Sequence, residues 1–127
     1  MGRVRVLSPA LFRAYCLTAY RAGALDVRVG RRARNVTERG DIVFLSACNP
    51  GGRRYPDRWN GRMMERLSEQ LRRYDYIAGE GRLGRWAESL VAARMPLAKS
   101  LCLARLFRQN GVVLVRRDQI ARLILLR

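Results

Sequence analysis

The stretch Gly79-Glu80-Gly81-Arg82-Leu83-Gly84-Arg85-Trp86-Ala87-Glu88-Ser89-Leu90 contains a literal G-x-G-x-x-G pattern that runs into apolar residues. A dinucleotide-binding site needs a strand before this pattern, a helix starting inside it and an acidic residue about 20 residues later. Residues 74–78 favour a strand, but the helix has weak support and no Asp or Glu lies between Glu88 and Asp118. We therefore interpret residues 79–84 as a glycine turn that joins two strands.

The length and composition of the chain indicate a globular protein. A chain of 127 residues is the size of one domain, and 49% hydrophobic residues are enough for a hydrophobic core. We therefore predict one compact domain over residues 1–127. No apolar run approaches the roughly 18 to 20 residues of a membrane span, and no long apolar segment follows the basic N-terminus. The sequence thus predicts a cytoplasmic protein that does not enter a membrane.

Histidine is absent, which excludes Ser-His-Asp and Cys-His catalysis and histidine-ligated zinc. The three cysteines, Cys16, Cys48 and Cys102, are far apart and odd in number, so they indicate neither a disulfide framework nor a zinc site. Carboxylates, amides, hydroxyls, thiols and arginines remain available for chemistry, but they form no recognisable catalytic motif. We therefore predict no metal and no cofactor, and we favour a binding protein over an enzyme.

Positive charge is the feature that stands out most from an ordinary globular composition. The chain has 26 basic residues against 10 acidic ones, a net charge of +16, and Lys99 is the one lysine among them. Arginine binds phosphate through paired hydrogen bonds and stacks on bases, so we predict a module that binds the backbone of RNA or DNA. The candidate contacts are Arg31, Arg32, Arg34, Arg53, Arg54, Arg58, Arg62 and Arg66.

Other interpretations of these arginines stay open. Glu65 and Glu69 can pair with arginines of the same predicted helix, which is typical of a solvated helix face. A basic surface also suits a protein-interaction or inhibitor domain that binds an acidic partner. A genome biased towards arginine would produce the same excess without any function.

The apolar periodicity predicts an α+β fold with a mixed, mostly antiparallel sheet of about six or seven strands and two main helices. The two helices are expected at about 57–73 and 96–108, after a short helix at 7–13 that begins at Ser8-Pro9. The predicted strands are residues 15–21, 24–29, 42–45 and 74–78, the apolar residues after the glycine stretch, 112–115 and 121–126.

The loop at residues 46–54 is the segment in which we expect functional side chains. It follows the apolar run Ile42-Val43-Phe44-Leu45, which predicts a strand at the centre of the sheet. Loops that leave such a strand are positioned by the rigid sheet and commonly carry function. Because Asn49 precedes Pro50, we expect its backbone to be extended, with its amide free to bond the local backbone or a ligand.

Five motifs of the chain resemble, in the same order, a bacterial family of small proteins known as domain-of-unknown-function family 3293. They are Phe44-Leu45-Ser46-Ala47-Cys48-Asn49-Pro50, Asn60, Gly79-Glu80-Gly81, Trp86-Ala87-Glu88-Ser89-Leu90-Val91 and Phe107-Arg108-Gln109-Asn110-Gly111. The resemblance covers about residues 12–126 and implies a compact α+β domain with no established activity. The chain departs from the family pattern in a shorter spacing between Trp86 and Ser89 and in a short connector at residues 31–35.

The resemblance also implies that certain polar residues come together, namely Asn49, Asn60, Glu88, Ser89, Gln109 and Asn110. Glu88 lies between Trp86 and an apolar strand, so burial would either raise its pKa or require a partner, and we expect an arginine as that partner. These side chains support an alternative function, a small-ligand-binding or enzyme domain with a polar pocket of Asn, Glu and Gln.

Overall fold

The computed structural model describes residues 7–37 and 39–126, which form three α-helices and a seven-stranded sheet. The helices are α1 (Pro9–Leu17), α2 (Asp57–Gln70) and α3 (Leu97–Leu106). The strands are β1 (Ala19–Ala22), β2 (Leu25–Val27), β3 (Ile42–Leu45), β4 (Tyr76–Leu83), β5 (Trp86–Arg94), β6 (Gly111–Val115) and β7 (Arg122–Leu125). The predicted α+β class is confirmed.

The sheet has the strand order β2-β1-β4-β5-β3-β6-β7, and every pair of neighbouring strands is antiparallel. The long β4–β5 hairpin, in which Leu83 pairs with Trp86, brings β5 next to β3. As a result, Glu88 near the start of β5 lies beside the loop that leaves β3. The sheet thereby joins two segments that the sequence places far apart.

The prediction of a glycine turn over residues 79–84 is wrong, because Gly79 and Gly81 are inside β4. The turn itself is limited to Gly84 and Arg85, and Gly84 has a positive φ of 59°. At Gly79 a Cβ atom would collide with the backbone oxygen of Arg21 in β1. Glycine at this position therefore allows two strands to approach closely, which is a second use of glycine that the sequence pattern does not distinguish from a turn.

The two faces of the sheet carry separate hydrophobic clusters because successive residues of a strand point to opposite faces. α2 and α3 cover one face, where Leu67 and Leu71 at the end of α2 are fully buried. On the other face, Tyr20, Phe44 and Leu90 pack with side chains of the segment between β2 and β3. The chain thus has a core on each side of the central strands.

The sheet curls, so that the segment after its β2 edge meets the segment before its β7 edge. The N–H of Gly30 donates to the Ala121 oxygen at 2.8 Å, and the Ala121 N–H donates to the Arg31 oxygen at 2.9 Å. This curl leaves a space beside the inner face that α1 lines. Within residues 7–37 and 39–126, no helix has both the length and the apolar character that would let it cross a membrane.

The first predicted strand, residues 15–21, is partly wrong because α1 extends to Leu17 and β1 starts only at Ala19. Ser8 caps the helix by accepting from the Leu11 N–H at 3.2 Å, and Pro9 occupies the first helical position. Thr18 ends the helix, since both its N–H and its hydroxyl donate to the Ala14 oxygen. The two main helices are where the sequence predicts them, although each is shorter than expected.

Candidate functional site

The centre of the candidate site is Asn49, in the loop after β3. The backbone of Asn49 is left-handed, with φ 47° and ψ 59°, so the predicted extended conformation is wrong. Asparagine tolerates this conformation better than most residues, and its backbone N–H and side chain make four hydrogen bonds here. Its N–H donates to Asn60 Oδ1 at 3.0 Å, and its Oδ1 accepts from the Tyr55 N–H and from Asn60 Nδ2, each at 2.9 Å.

The fourth hydrogen bond joins Asn49 to Glu88, with Asn49 Nδ2 donating to Glu88 Oε1 at 3.0 Å. The orientation of the Asn49 amide is fixed by its other contacts, because the Tyr55 N–H can only donate and must therefore face an oxygen. The Asn49 amide nitrogen then has to face Glu88. The loop and the helix α2 together position one hydrogen-bond donor for the carboxyl group of β5.

Glu88 is partly buried, and its main interaction is this single hydrogen bond. Burial raises the pKa of Glu88 to about 7, and the hydrogen bond from Asn49 lowers it by a smaller amount. The predicted arginine partner is wrong, since no ion pair with Glu88 is present among the described residues. An amide donor satisfies the carboxyl group in either protonation state, whereas a buried ion pair would require two desolvated charges.

Two cavities meet at Glu88. The first, of about 310 Å³, lies between α1 and the inner face of the sheet and is lined mainly by apolar side chains, so we call it the apolar cavity. The second, of about 380 Å³, lies outside the β3 loop and is lined largely by polar side chains, so we call it the polar cavity. The residues common to both are Asn49, Arg54, Trp86 and Glu88.

Gln109 and Asn110, after α3, also line the apolar cavity. Gln109 Nε2 donates to the Phe107 oxygen at 3.2 Å, as a helix-capping side chain does, and to the Cys48 oxygen at 2.9 Å. Asn110 Nδ2 donates to the hydroxyl of Tyr15 at 3.2 Å, which ties α1 to the end of α3. Gln109 thus holds the loop after β3, and Asn110 holds α1, against the end of α3.

Ser89 differs from the other predicted pocket residues, because its side chain makes no hydrogen bond with the described residues. Its side chain is exposed and lines the polar cavity, while its backbone oxygen accepts from the Ser46 hydroxyl at 2.7 Å. Adjacent strand residues point to opposite faces, so Ser89 and Glu88 do not form a nucleophile and base pair. Asn49, Asn60 and Glu88 are joined by hydrogen bonds, and Gln109 and Asn110 share a cavity with Asn49 and Glu88.

Sequence reasoning missed Tyr15 and Arg85 as residues of the site. The sequence pattern assigns Tyr15 to a strand, but in α1 its ring lines the apolar cavity, and burial raises the pKa of its hydroxyl. Arg85 belongs to the two-residue turn between β4 and β5 and lines the polar cavity. The Ser8-Pro9 cap could have placed Tyr15 in a helix, because a helix that begins at Pro9 and continues for two turns includes it. Nothing in the local sequence identifies Arg85.

Cys48 lines the polar cavity, and its carbonyl oxygen accepts the hydrogen bond from Gln109. Burial raises the pKa of the Cys48 thiol, which disfavours a reactive thiolate. In the described part of the chain, no group of three or more metal-ligating side chains lies close enough together to hold a metal ion.

The eight candidate arginines are all exposed, but they lie over opposite faces of the sheet. Arg31, Arg32 and Arg34 belong to the segment that covers the face of Phe44, whereas α2 covers the other face. Among the described residues, none of the eight forms an ion pair, and the pairing expected within α2 does not occur. Arg58, Arg62 and Arg66 lie on α2, and Arg53 and Arg54 lie in the loop before it. We call these five residues the α2 ridge.

Comparison with known proteins identifies one family. Residues 45–112, more than half of the chain, match the family described as "Protein of unknown function (DUF3293)". The matched range contains Asn49, Asn60, Glu88, Ser89, Gln109 and Asn110. No curated protein and no solved structure matches the chain.

Proposed function

The chain belongs to the DUF3293 family, as its motifs predicted, and we propose that it binds a small ligand where the apolar and polar cavities meet. The observation that carries this proposal is Glu88, a carboxyl group beside an apolar cavity that receives one amide hydrogen bond and no ion pair among the described residues. Such a carboxyl group is costly for folding alone, and perturbed carboxyl groups in clefts are concentrated at functional sites.

The size and lining of the apolar cavity support the same proposal. Its volume of about 310 Å³ is at the lower end of the roughly 300–1,000 Å³ range of small-molecule pockets. Its walls are mostly apolar, and the polar side chains converge near Asn49 and Glu88. Pockets that bind small molecules combine these two properties, because apolar walls provide affinity and a few polar groups fix the orientation.

A fragment screen by ligand-observed NMR tests the small-ligand proposal. Ala14 of α1 lines the apolar cavity, so Ala14→Phe fills that space, and we expect the fragments that bind the wild-type chain to lose binding. Ala10→Phe is the matched control, since Ala10 is exposed on the same helix and lines neither cavity. Fragments that bind the Ala14→Phe variant as well as they bind the control would contradict the proposal, as would a screen without hits.

We also propose, as a second function, that the α2 ridge binds the phosphate backbone of a nucleic acid. The supporting observation is that its five arginines are exposed and free of ion pairs with the described residues. Arg58, Arg62 and Arg66 recur every four residues, so they follow one side of the helix. A row of unpaired guanidinium groups on a rigid helix suits a row of phosphates.

Fluorescence anisotropy with labelled RNA and DNA tests the ridge. Replacing Arg58, Arg62 and Arg66 by Gln should weaken binding, and the slope of log K against log salt should become shallower by about 0.9 for each phosphate that the variant no longer neutralises. The matched control replaces Arg31, Arg32 and Arg34 by Gln, which removes the same charge from the other face of the sheet. Equal weakening in the two variants would contradict the ridge, and binding to polyglutamate alone would favour an acidic protein partner.

A further inference from the structure

The polar cavity is lined by two arginines that have no ion-pair partner among the described residues. Arg54 comes from the loop after β3 and Arg85 from the turn between β4 and β5, and both side chains are exposed. Among the described residues, Asp57 at the start of α2 is the one acidic residue of this lining besides Glu88. Two guanidinium groups from separate elements that face one cavity favour an anion with several oxygen atoms.

The apolar cavity continues from the polar one through the residues that they share. Its walls include Leu11 of α1, Phe44 of β3 and Leu90 of β5, and Trp86 borders both cavities. A ligand that enters this space has to bury a hydrocarbon or aromatic body against these side chains. Apolar burial there provides affinity because it removes hydrocarbon surface from water.

We infer that the ligand is an amphiphilic anion, with its apolar body in the apolar cavity and its negatively charged head group in the polar cavity against Arg54 and Arg85. This inference rests on the proposed small-ligand function and specifies the chemical class of the ligand. The net charge of +16 supports it, because the field of the whole protein attracts anions and repels cations.

Glu88 then determines how binding depends on pH. Binding of an anion beside Glu88 disfavours the ionised carboxylate, so the pKa of Glu88 in the complex lies above its value of about 7 in the free protein. The affinity is therefore greatest below pH 7 and decreases as the pH rises above it. If the pKa in the complex lies well above 8, the affinity at pH 8 is about tenfold lower than at pH 6.

The other charged or titratable groups around Glu88 do not reverse this direction. Tyr15, Tyr20 and Cys48 interact electrostatically with Glu88, and burial raises the pKa of each, so all three are neutral at pH 6 and remain predominantly neutral at pH 8. Arginine side chains such as those that line the polar cavity carry a positive charge at both pH values. The pH dependence is thus a property of Glu88 when the head group of the ligand does not itself titrate.

Isothermal titration calorimetry with three eight-carbon probes tests the inference. The probes are 1-octanesulfonate, octylammonium and 1-octanol, which share the apolar body and differ in head group, and neither charged group titrates between pH 6 and 8. We expect 1-octanesulfonate to bind most tightly and to bind about tenfold more weakly at pH 8 than at pH 6. The Glu88→Gln variant should bind 1-octanesulfonate with the same affinity at the two pH values.

Two double variants separate specific head-group contacts from general attraction to a basic protein. Replacing Arg54 and Arg85 by Gln should weaken 1-octanesulfonate binding by at least about tenfold, because this variant cannot form the charge-assisted hydrogen bonds. Replacing Arg58 and Arg62 by Gln removes the same charge from outside both cavities, and it should change the affinity by less than about twofold at ordinary salt.

Three results would overturn the inference. Octylammonium or 1-octanol binding at least as tightly as 1-octanesulfonate would exclude an anionic head group, although a small-ligand site would then still be present. Equal weakening in the two double variants would show that the protein attracts the probe only through its net charge. Failure of all three probes to bind would also overturn it, whereas the small-ligand proposal is decided by the fragment screen and its Ala14→Phe variant.

Discussion

Asn49 connects the loop after β3, the start of α2 and the strand β5 through a single side chain. A residue before proline prefers an extended backbone, and a left-handed one costs about 1–3 kcal/mol. Four hydrogen bonds, each worth about 0.5–1.5 kcal/mol, are enough to offset that cost. Contacts with Asn60 and Glu88 thus determine the local conformation, and they also present the Asn49 amide to Glu88.

The Asn49→Asp substitution should destabilise the protein strongly. It replaces the donor at Glu88 by a second carboxyl group, and two carboxylates at hydrogen-bond distance repel each other unless they share a proton. Urea denaturation should show a loss of roughly 2 kcal/mol or more at pH 8 and a smaller loss at pH 5.

Asn35→Asp is the matched control for this substitution. Asn35 is also left-handed, with φ 63°, but it is exposed and its amide donates to the Ala24 carbonyl oxygen. If both variants lose the same stability with the same pH dependence, the contact between Asn49 and Glu88 has no special role.

Glu88 itself makes stability depend on pH. A carboxyl group whose pKa is raised by folding contributes stability below its unfolded value, and that contribution is lost as the pH rises from 4.5 to about 7. The Glu88→Gln variant lacks this loss, so at pH 8 we expect it to be more stable than the wild type by about 3 kcal/mol.

The measurement is urea denaturation of the wild type and the variant at pH 5 and pH 8. At pH 5 the two stabilities should be close, because Glu88 is then neutral in the folded state. Glu69→Gln, on an exposed part of α2, serves as the control for loss of a surface carboxylate. A Glu88→Gln variant that is less stable than the wild type at pH 8 would show that the ionised form is the one stabilised by the fold.

Glu88 could be identified from the sequence, because it lies between a tryptophan and a strongly apolar strand. Its partner could not be identified, since an excess of arginine makes an ion pair the natural expectation. The observed donor, Asn49, is 39 residues away in sequence, and the contact exists only because β5 pairs with β3. A contact of this kind depends on strand order, which local periodicity does not specify.

At the scale of elements, the β4–β5 hairpin brings Glu88 to both cavities and Arg85 to the polar cavity. Only the outer parts of these strands, residues 76–78 of β4 and 90–93 of β5, were predictable, because β-forming and apolar residues are continuous there. The position of the hairpin turn was not predictable, because the glycines of this stretch have two different roles. Gly84 forms the turn, whereas Gly79 allows β1 to approach β4 closely. Sequence alone gives the same signal for both uses, and only the neighbouring strand distinguishes them.

A pair of Gly→Ala substitutions tests these roles of glycine. At Gly79 the added methyl group collides with the Arg21 backbone oxygen, so we expect Gly79→Ala to lose about 1–3 kcal/mol of stability. At Gly61, on the exposed side of α2, the methyl group meets no neighbouring atom, and Gly61→Ala should gain about 0.5–1 kcal/mol. Denaturant titration measures both, and a neutral Gly79→Ala variant would contradict the close approach of β1 to β4.

At the scale of the whole molecule, the curled sheet separates the arginines and forms a wall of the apolar cavity in which we propose the ligand site. The charge excess was evident from composition, and the small-ligand alternative from the polar motifs. The separation of the arginines into two groups was not evident from the sequence. Residues 31–34 and α2 lie on opposite faces of the sheet, and the order of its strands does not follow their order in the chain. Nucleic-acid binding therefore stays a prediction for the α2 ridge. The proposal of a small-ligand site has stronger support, because it rests on the contact between Glu88 and Asn49 beside a cavity.

The most direct test of the ligand site is a proton–nitrogen NMR titration of the wild-type chain with the fragment that binds best. The signals to follow are the side-chain amides of Asn49, Gln109 and Asn110 and the indole N–H of Trp86, all of which line the apolar cavity. We expect these signals to shift together and to saturate at the fragment's dissociation constant. Shifts that are confined to the arginine side chains of the α2 ridge or of residues 31–34, with these four groups unchanged, would contradict a ligand site at Glu88.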